Sequence, residues 1–504
     1  MDALLQGLQL VLNAETLLVI MAAAIFGIFV GAVPGLTATM AVALLVPITF
    51  YMEPVPAIAA IVTTAAMAIF AGDIPATYLN IPGTPSSAAY VGDSFMLANK
   101  GHARETLGIN LICSVFGGVF GTIVLVTISP MLADAALNFS TYEYFWLALL
   151  GLSSSIFISI GSRTKAFLSL MIGLLLSTVG LDMMSGVPRF TFGITNLMAG
   201  INIIPVMIGM FALNELISFY GSRSDGKRTP SMSKDSMLKK APSHVRTYWP
   251  NMLRGSTIGT LIGALPGAGA DIAAWISYAV GKGRSKQKSA YGTGHIEGII
   301  DASSANNAGI SGAWIPALVF GIPGDSITAI VIGVLYMKGM NPGPTIFMDG
   351  SGLIYALFIV FFVANLLMLP VGFAAIKFSK IFILTPRKIL MPIILCFCIV
   401  GAFSINNSAI DVWIMLIIGI VAAILMRCDF PMAPAILGLV LGTTLENSFM
   451  SSMLKSNGDL LSFFSRPISA SLGALVILLW LSPLVTKAYK KYKGNQIEQT
   501  SGVS

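Results

Sequence analysis

The sequence predicts an all-α polytopic membrane protein: two inverted repeats with re-entrant or broken helices and about eleven transmembrane crossings. Three observations predict it. Of 504 residues, 56% are hydrophobic and only 10% charged, with a mean hydropathy of +0.85, beyond what a soluble core absorbs. Lys and Arg gather in a few loops, the pattern that orients a chain in a bilayer. Short Pro-Gly motifs recur in the same order in both halves, the mark of an internal repeat.

Composition also excludes function classes. The net charge of +7 is not interleaved with aromatics as in a nucleic-acid groove. Cys113, Cys396, Cys398 and Cys428 lie in or beside apolar runs, and Cys396 and Cys398 form a C-x-C, so all four read as small buried hydrophobes. His102, His244 and His295 are too scattered for a metal site or an intramembrane enzyme, and no G-x-x-x-x-G-K-[ST] loop is present to bind ATP. No cofactor is expected, only a coupling Na⁺ or H⁺. The N-terminus lacks the basic region of a cleavable signal, so its apolar run is expected to stay.

The elements follow from charge. The first 99 residues hold no Lys or Arg, only Asp2, Glu15, Glu53, Asp73 and Asp93, which places the N-terminus and the Glu53 loop outside. Thr16 to Phe50 leaves and returns to that face around Gly31-Ala32-Val33-Pro34-Gly35. The chain next passes Asn80-Ile81-Pro82-Gly83 to Lys100 and Arg104, inside. It alternates out to Asp134, in to Lys165 and out to Asp182. It then enters the loop Arg223 to Arg254, which is rich in Lys and Arg and therefore cytoplasmic.

The second half repeats this order. Gly263-Ala264-Leu265-Pro266-Gly267 matches the first motif, and Gly321-Ile322-Pro323-Gly324 the second. Lys338-Gly339 answers Lys100-Gly101, and Pro434 and Gly438 before Glu446 answer Pro205 and Gly209 before Glu215. The expected divisions are a first repeat over 1–222, a basic loop over 223–254, a second repeat over 255–455, and a last helix with a basic tail over 456–504. Residues 255–281 are too few to cross twice, since there and back takes ~40 residues, so they predict two half-helices with PGAGAD at the tip. Arg189, Lys455 and Arg466 fall on the outer side, against the charge rule.

Irregular backbone at membrane depth survives only where protein buries it or a wet cavity meets it, so four breaks are candidate binding elements. They are PGLTAT (Pro34, Gly35, Thr37), NIPGTPSS (Asn80, Pro82, Gly83, Thr84, Ser86), PGAGAD (Pro266, Gly267, Gly269) and GIPGDS (Pro323, Gly324, Ser326). A glycine-rich break frees backbone N–H groups, and the helix after it points its positive end there. That combination, with the hydroxyls, can receive a carboxylate without a buried Arg or Lys. The same motifs can also be ordinary kinks with small residues for close packing. Asp271 and Asp325 follow the second-repeat breaks and are either cation ligands or helix N-caps. The adjacent amides of Asn306 and Asn307 suit a polar, multidentate substrate, or a loop turn.

Longer stretches, among them GAVPGLTATMAVALLVPITF, NIPGTPSSAAYVGDSFMLANKGHARETLG, LIGALPGAGADIAAWISYAVGK and GTGHIEGIIDASSANNAGISGAWIPALVFGIPG, resemble one family. It is the large membrane subunit (TctA) of the tripartite tricarboxylate transporters. The resemblance implies a multi-pass protein of the bacterial inner membrane that imports citrate or another small carboxylate on a cation gradient. Its implied partners are a small membrane subunit (TctB-like) and a periplasmic solute-binding protein (TctC-like); nucleic acid is not among them. A standalone exchanger or exporter needing no binding protein is the other transport reading. The chain departs from the family pattern at Ala302-Ser303, where Pro-Glu is usual, and at Phe449 and Met450, where an Arg is common. It also has Ala71-Gly72-Asp73 in place of Gly-Gly-Ser. These changes bear on the substrate and the coupling ion.

Overall fold

A backbone surrounded by hydrocarbon or by other helices must satisfy its own N–H and C=O groups, so the apolar runs fold as helices. The computed structural model describes residues 2–159, 162–182, 185–214, 216–217, 237–267, 269–349, 351–383 and 387–481. Residues 223–236 of the basic loop and the tail cluster at Lys487 to Lys493 lie outside these residues, as does Glu215.

The first half contains α1 (Asp2–Val11), α2 (Ala14–Ala32), α3 (Ala38–Phe50), α4 (Pro54–Ala71), α5 (Asp73–Leu79), α6 (Val91–Leu97), α7 (Ala103–Ala136), α8 (Thr141–Ile158), α9 (Arg163–Ser177) and α10 (Ile203–Met207). The second contains α11 (Met237–Thr247), α12 (Trp249–Gly263), α13 (Gly269–Arg284), α14 (Ile296–Phe320), α15 (Ser326–Met337), α16 (Ile346–Asp349), α17 (Ser351–Lys377), α18 (Ser379–Ile383), α19 (Arg387–Asn406), α20 (Ala409–Arg427), α21 (Met432–Lys455) and α22 (Pro467–Leu481). Five helical stretches are long and apolar enough to cross a bilayer: Ala14–Ala32, Pro54–Leu79, Val91–Ala136, Gly352–Lys377 and Ala409–Arg427. Shorter apolar helices accompany them, so this is a multi-pass helical membrane protein. The strands among the described residues are one antiparallel pair, Gly180–Leu181 with Pro188–Arg189.

Two long helices are buried all round: α4 from Val55 to Ala71 and α14 from Gly298 to Val319. Around α4 pack α2, α3 and α17; around α14 pack α12, α13 and α7. Each central helix thus carries the hairpin before it and the long helix of the other half. Close approach needs small residues. A Cβ on Gly31 would overlap the Ala68 backbone of α4, and one on Gly263 the Gly309 backbone of α14.

Among the lysines that tie the halves together, two stand at matching positions of the repeat motifs. Lys100 donates to the carbonyl of Thr293, in the loop after α13, at 3.0 Å. Lys338 donates to the carbonyls of Phe50, at 2.8 Å, and Met52, just after α3.

Several charges sit differently from their sequence reading. Arg254 is not in a loop but inside α12, where it forms a forked pair with buried Asp301 at 2.8 and 2.6 Å. Asp73 and Asp93 are buried rather than marking a face. One oxygen of Asp93 accepts the N–H groups of Gly292, Gly294 and His295, and the other the Tyr278 hydroxyl. Of the three cations that strain the charge rule, two are ion-paired and the third meets a hydroxyl. Arg466 reaches Glu143 at 3.0 Å, Lys455 reaches the Thr141 hydroxyl, and Arg189 holds Glu446 through bonds of 2.6 and 3.1 Å. Arg189 and Arg466, neutralised by their carboxylates, carry little orienting charge, whereas Lys455 stays an exception to the rule. Arg189→Ala, which leaves Glu446 alone, is expected to cost about 1 kcal/mol for a pair this exposed. A melting temperature equal to wild type would remove the pair from the stability account.

Candidate functional site

Proline and glycine stop the helices in two ways. At the first and third breaks a Pro-Gly follows the helix end, with the glycine at positive φ: +86° at Gly35 and +80° at Gly267. L-residues with a Cβ rarely hold that conformation. Thr37 then caps α3, its hydroxyl accepting from the Met40 N–H at 3.2 Å, and α13 starts at Gly269.

At the second and fourth breaks the helix ends on a left-handed residue, Asn80 at φ +57° and Gly321 at φ +67°. The next N–H closes back six residues: Ile81 to the Pro75 carbonyl at 3.4 Å and Ile322 to the Pro316 carbonyl at 3.2 Å. The two segments read PATYLNIPG from Pro75 and PALVFGIPG from Pro316. The match therefore extends upstream of Asn80-Ile81-Pro82-Gly83 and Gly321-Ile322-Pro323-Gly324 to the Pro-Ala that supplies the closing acceptor.

All four breaks meet at one cavity. Thr37 and Thr39 line it from the first, Thr84 and Pro85 from the second, Ala270 and Asp271 from the third, and Asp325, Ser326 and Ile327 from the fourth. The space open to the centres of water-sized molecules is ≈ 30 Å³, room for a water or two and not for a tricarboxylate. The first turns of α3, α13 and α15 all reach it, so their free N–H groups and positive ends favour an anion there.

Residues 17–437 match the tripartite tricarboxylate transporter TctA family. The chain belongs to that family. This is a transporter family, so the chain is a transport component rather than an enzyme. An uncharacterized 52.8 kDa protein in the TAR-I ttuC' 3' region of Agrobacterium vitis is 34% identical over 464 residues, 92% of each chain. An uncharacterized protein in the TAR-II ttuC' 3' region of the same organism is 35% identical over 230 residues, 45% of this chain and 95% of that one. No solved structure matches.

In this TctA-family chain the two acidic residues of the cavity differ. Asp325 caps α15, one oxygen accepting from the Thr328 N–H at 2.8 Å and its hydroxyl at 2.7 Å. Asp271 lies in the first turn of α13, with the Ser86 N–H and hydroxyl turned toward it and Asp325 as its charged neighbour. Among the described residues no Lys or Arg lines the cavity.

The remaining motif residues build the walls. Gly83 abuts Gly72, where a Cβ would overlap the Gly72 backbone; a Cβ on Gly269 would meet Asp325 at 2.5 Å, and one on Gly324 the Ala313 Cβ at 2.7 Å. Pro34 leads the chain into Gly35, Pro82 into Gly83 and Pro323 into Gly324. The Pro266 carbonyl accepts from Ser154 at 2.5 Å, while Ser155 packs on Gly267. Trp275 donates to the Pro85 carbonyl at 3.3 Å. Ser86 shares a 2.8 Å bond with Thr84 behind the lining. Ser154 and Ser155 were not singled out from the sequence; three adjacent serines in an apolar helix, Ser153-Ser154-Ser155, are the signal that could have found them.

Asn306 and Asn307 do not line the cavity. Both are buried in the middle of α14 and lie in a helix rather than a turn. Asn306 donates to the Tyr90 hydroxyl at 3.4 Å and Asn307 faces the Met368 sulfur at 3.6 Å.

Proposed function

We propose that this chain is the large membrane subunit of a binding-protein-dependent secondary transporter in the bacterial inner membrane. It imports a small carboxylate such as citrate by cation symport, through alternating access between two inverted repeats. One observation carries the reading: four Pro-Gly breaks, two from each half, converge on a cavity with two carboxyl groups and, among the described residues, no basic side chain.

The repeats are supported by matched backbone as well as matched sequence. Gly35 and Gly267 share one conformation, Asn80 and Gly321 another, and the closures onto Pro75 and Pro316 are the same. The exchange of α7 and α17 between central helices, and of Lys100 and Lys338 between loops, supports a two-fold relation between the halves, which with its axis in the membrane plane gives inverted repeats.

Charge balance supports symport. An anionic substrate meets Asp271 and Asp325 in a cavity to which the described residues bring no Lys or Arg, and like charges at short range repel strongly where water is scarce. A cation bound first by Asp271, with Asp325 and tip carbonyls, removes that repulsion. The carboxylate then meets the N–H groups of the breaks together with Thr37, Thr84 and Ser326. Because ≈ 30 Å³ does not hold it, substrate entry requires the tips to part, which is the alternating step.

Uptake of labelled citrate and of shorter dicarboxylates into proteoliposomes tests the reading. Vesicles hold this chain with its small subunit, with and without the periplasmic protein, before and after collapse of the ion gradient. Accumulation needing both gradient and binding protein is expected. Accumulation without the binding protein makes the chain a standalone exchanger or exporter; flux that persists without a gradient makes it a channel.

A further inference from the structure

A second acidic group lies outside the tip cavity. Asp73 opens α5, directly after the Gly72 on which Gly83 of the second break rests. Its side chain is fully buried. One oxygen, Oδ1, accepts the Tyr90 hydroxyl at 2.6 Å, and the Tyr90 oxygen accepts from Asn306 Nδ2 at 3.4 Å. The donors run one way, from amide to phenol to carboxyl, and stop there. The other oxygen, Oδ2, is buried without any hydrogen-bond partner.

Among the described residues no Lys, Arg or His pairs with Asp73. The titratable groups facing it from its neighbours are Tyr90, just before α6, and Cys113 of α7. Helix α4 carries none, α2 carries only Glu15 in its first turn, and the Asp93 carboxylate of α6 is turned to the Gly292–His295 amides. An ionised carboxylate buried with one donor and no counter-charge costs several kcal/mol. A proton on Oδ2 removes that cost, and the Tyr90 bond to Oδ1 keeps the ionised form within reach. Intramembrane carboxyl groups in such settings serve proton relays.

We propose that Asp73 is a proton-binding site, separate from the carboxyl pair of the tip cavity, whose loading is sensed by the second break through Gly72 and Gly83. One proton adds to Oδ2 to give the neutral acid and leaves again as the break shifts, with no other bond made or lost. Asn306 and Tyr90 are positioning residues that orient the carboxyl. Coupling this proton to substrate movement rests on the proposed transport function; the proton site itself does not.

Infrared difference spectra of the purified full chain in lipid, taken while titrating pH, test the site without substrate. The carbonyl stretch of a protonated carboxylic acid is expected in wild type, lost in Asp73→Asn and displaced in Tyr90→Phe, which keeps the acid but removes its donor. If Asp73→Asn fails to fold, the displaced band of Tyr90→Phe carries the test. No such band, or one unchanged in both variants, overturns the proposal. In proteoliposomes of the complete transporter, the ratio of pH-gradient-driven citrate accumulation to citrate exchange should fall roughly tenfold in Asp73→Asn. A ratio equal to wild type, or accumulation driven by Na⁺ alone, overturns the coupling role. Failure of the wild type to move any carboxylate would instead overturn the transport function and leave the infrared result standing.

Discussion

Gradient-driven uptake should fall by roughly 100-fold in Asp271→Asn, the loss of about 3 kcal/mol expected when a charged ligand is replaced by its neutral isostere. The side chain keeps its shape and can still accept from Ser86, so the helix start at Gly269 has no reason to change. What is lost is half of the negative charge that a coupling cation would meet in the tip cavity. Asp325→Ala should be milder in binding and harsher in folding, because Asp325 also caps α15 through Thr328 and alanine has no side-chain acceptor. Membrane abundance measured beside uptake separates the two effects. Wild-type uptake in Asp271→Asn would remove the cavity from the mechanism.

The second large effect is structural. A Cβ on Gly324 would stand 2.7 Å from the Ala313 Cβ, 2.8 Å from the Ala313 Cα and 2.9 Å from the Gly263 carbonyl. None of these is the far end of a flexible side chain. Gly324→Val therefore drives the fourth break away from both α14 and the end of α12, overpacking that should cost about 3 kcal/mol. Thermal unfolding in detergent should show a clear fall in melting temperature, with uptake lost below it. Pairing the variant with Ala313→Gly, which opens the contact, should recover part of the loss. No recovery would mean that the collision with Gly263 dominates.

Much of the fold was legible from the sequence because membranes restrict what a chain can do. Long apolar runs had to be helices, and Pro-Gly inside them had to be breaks. The GAVPG and GALPG motifs were read as a pair, and the structure places their glycines at nearly the same φ. Legibility ended where chemistry depends on what comes close in space. Asp73 looked like one more acidic residue in a Lys-free stretch, and only its burial against Tyr90 sets it apart. Ser154 reads as a helix residue until the Pro266 carbonyl is found on its hydroxyl. Asn306 and Asn307 attracted notice as adjacent amides, a real signal of buried polarity. Helical periodicity, however, turns neighbours about 100° apart, so the two face different partners.

The bond from Lys338 to the Phe50 carbonyl spans 288 residues of sequence. During synthesis the α2–α3 hairpin therefore enters the bilayer with the carbonyls at its end uncapped, and they stay so until most of the chain has emerged. The first half should remain a client of the insertion machinery for that interval. Halves expressed as separate polypeptides should each be degraded alone and stabilise one another when made together.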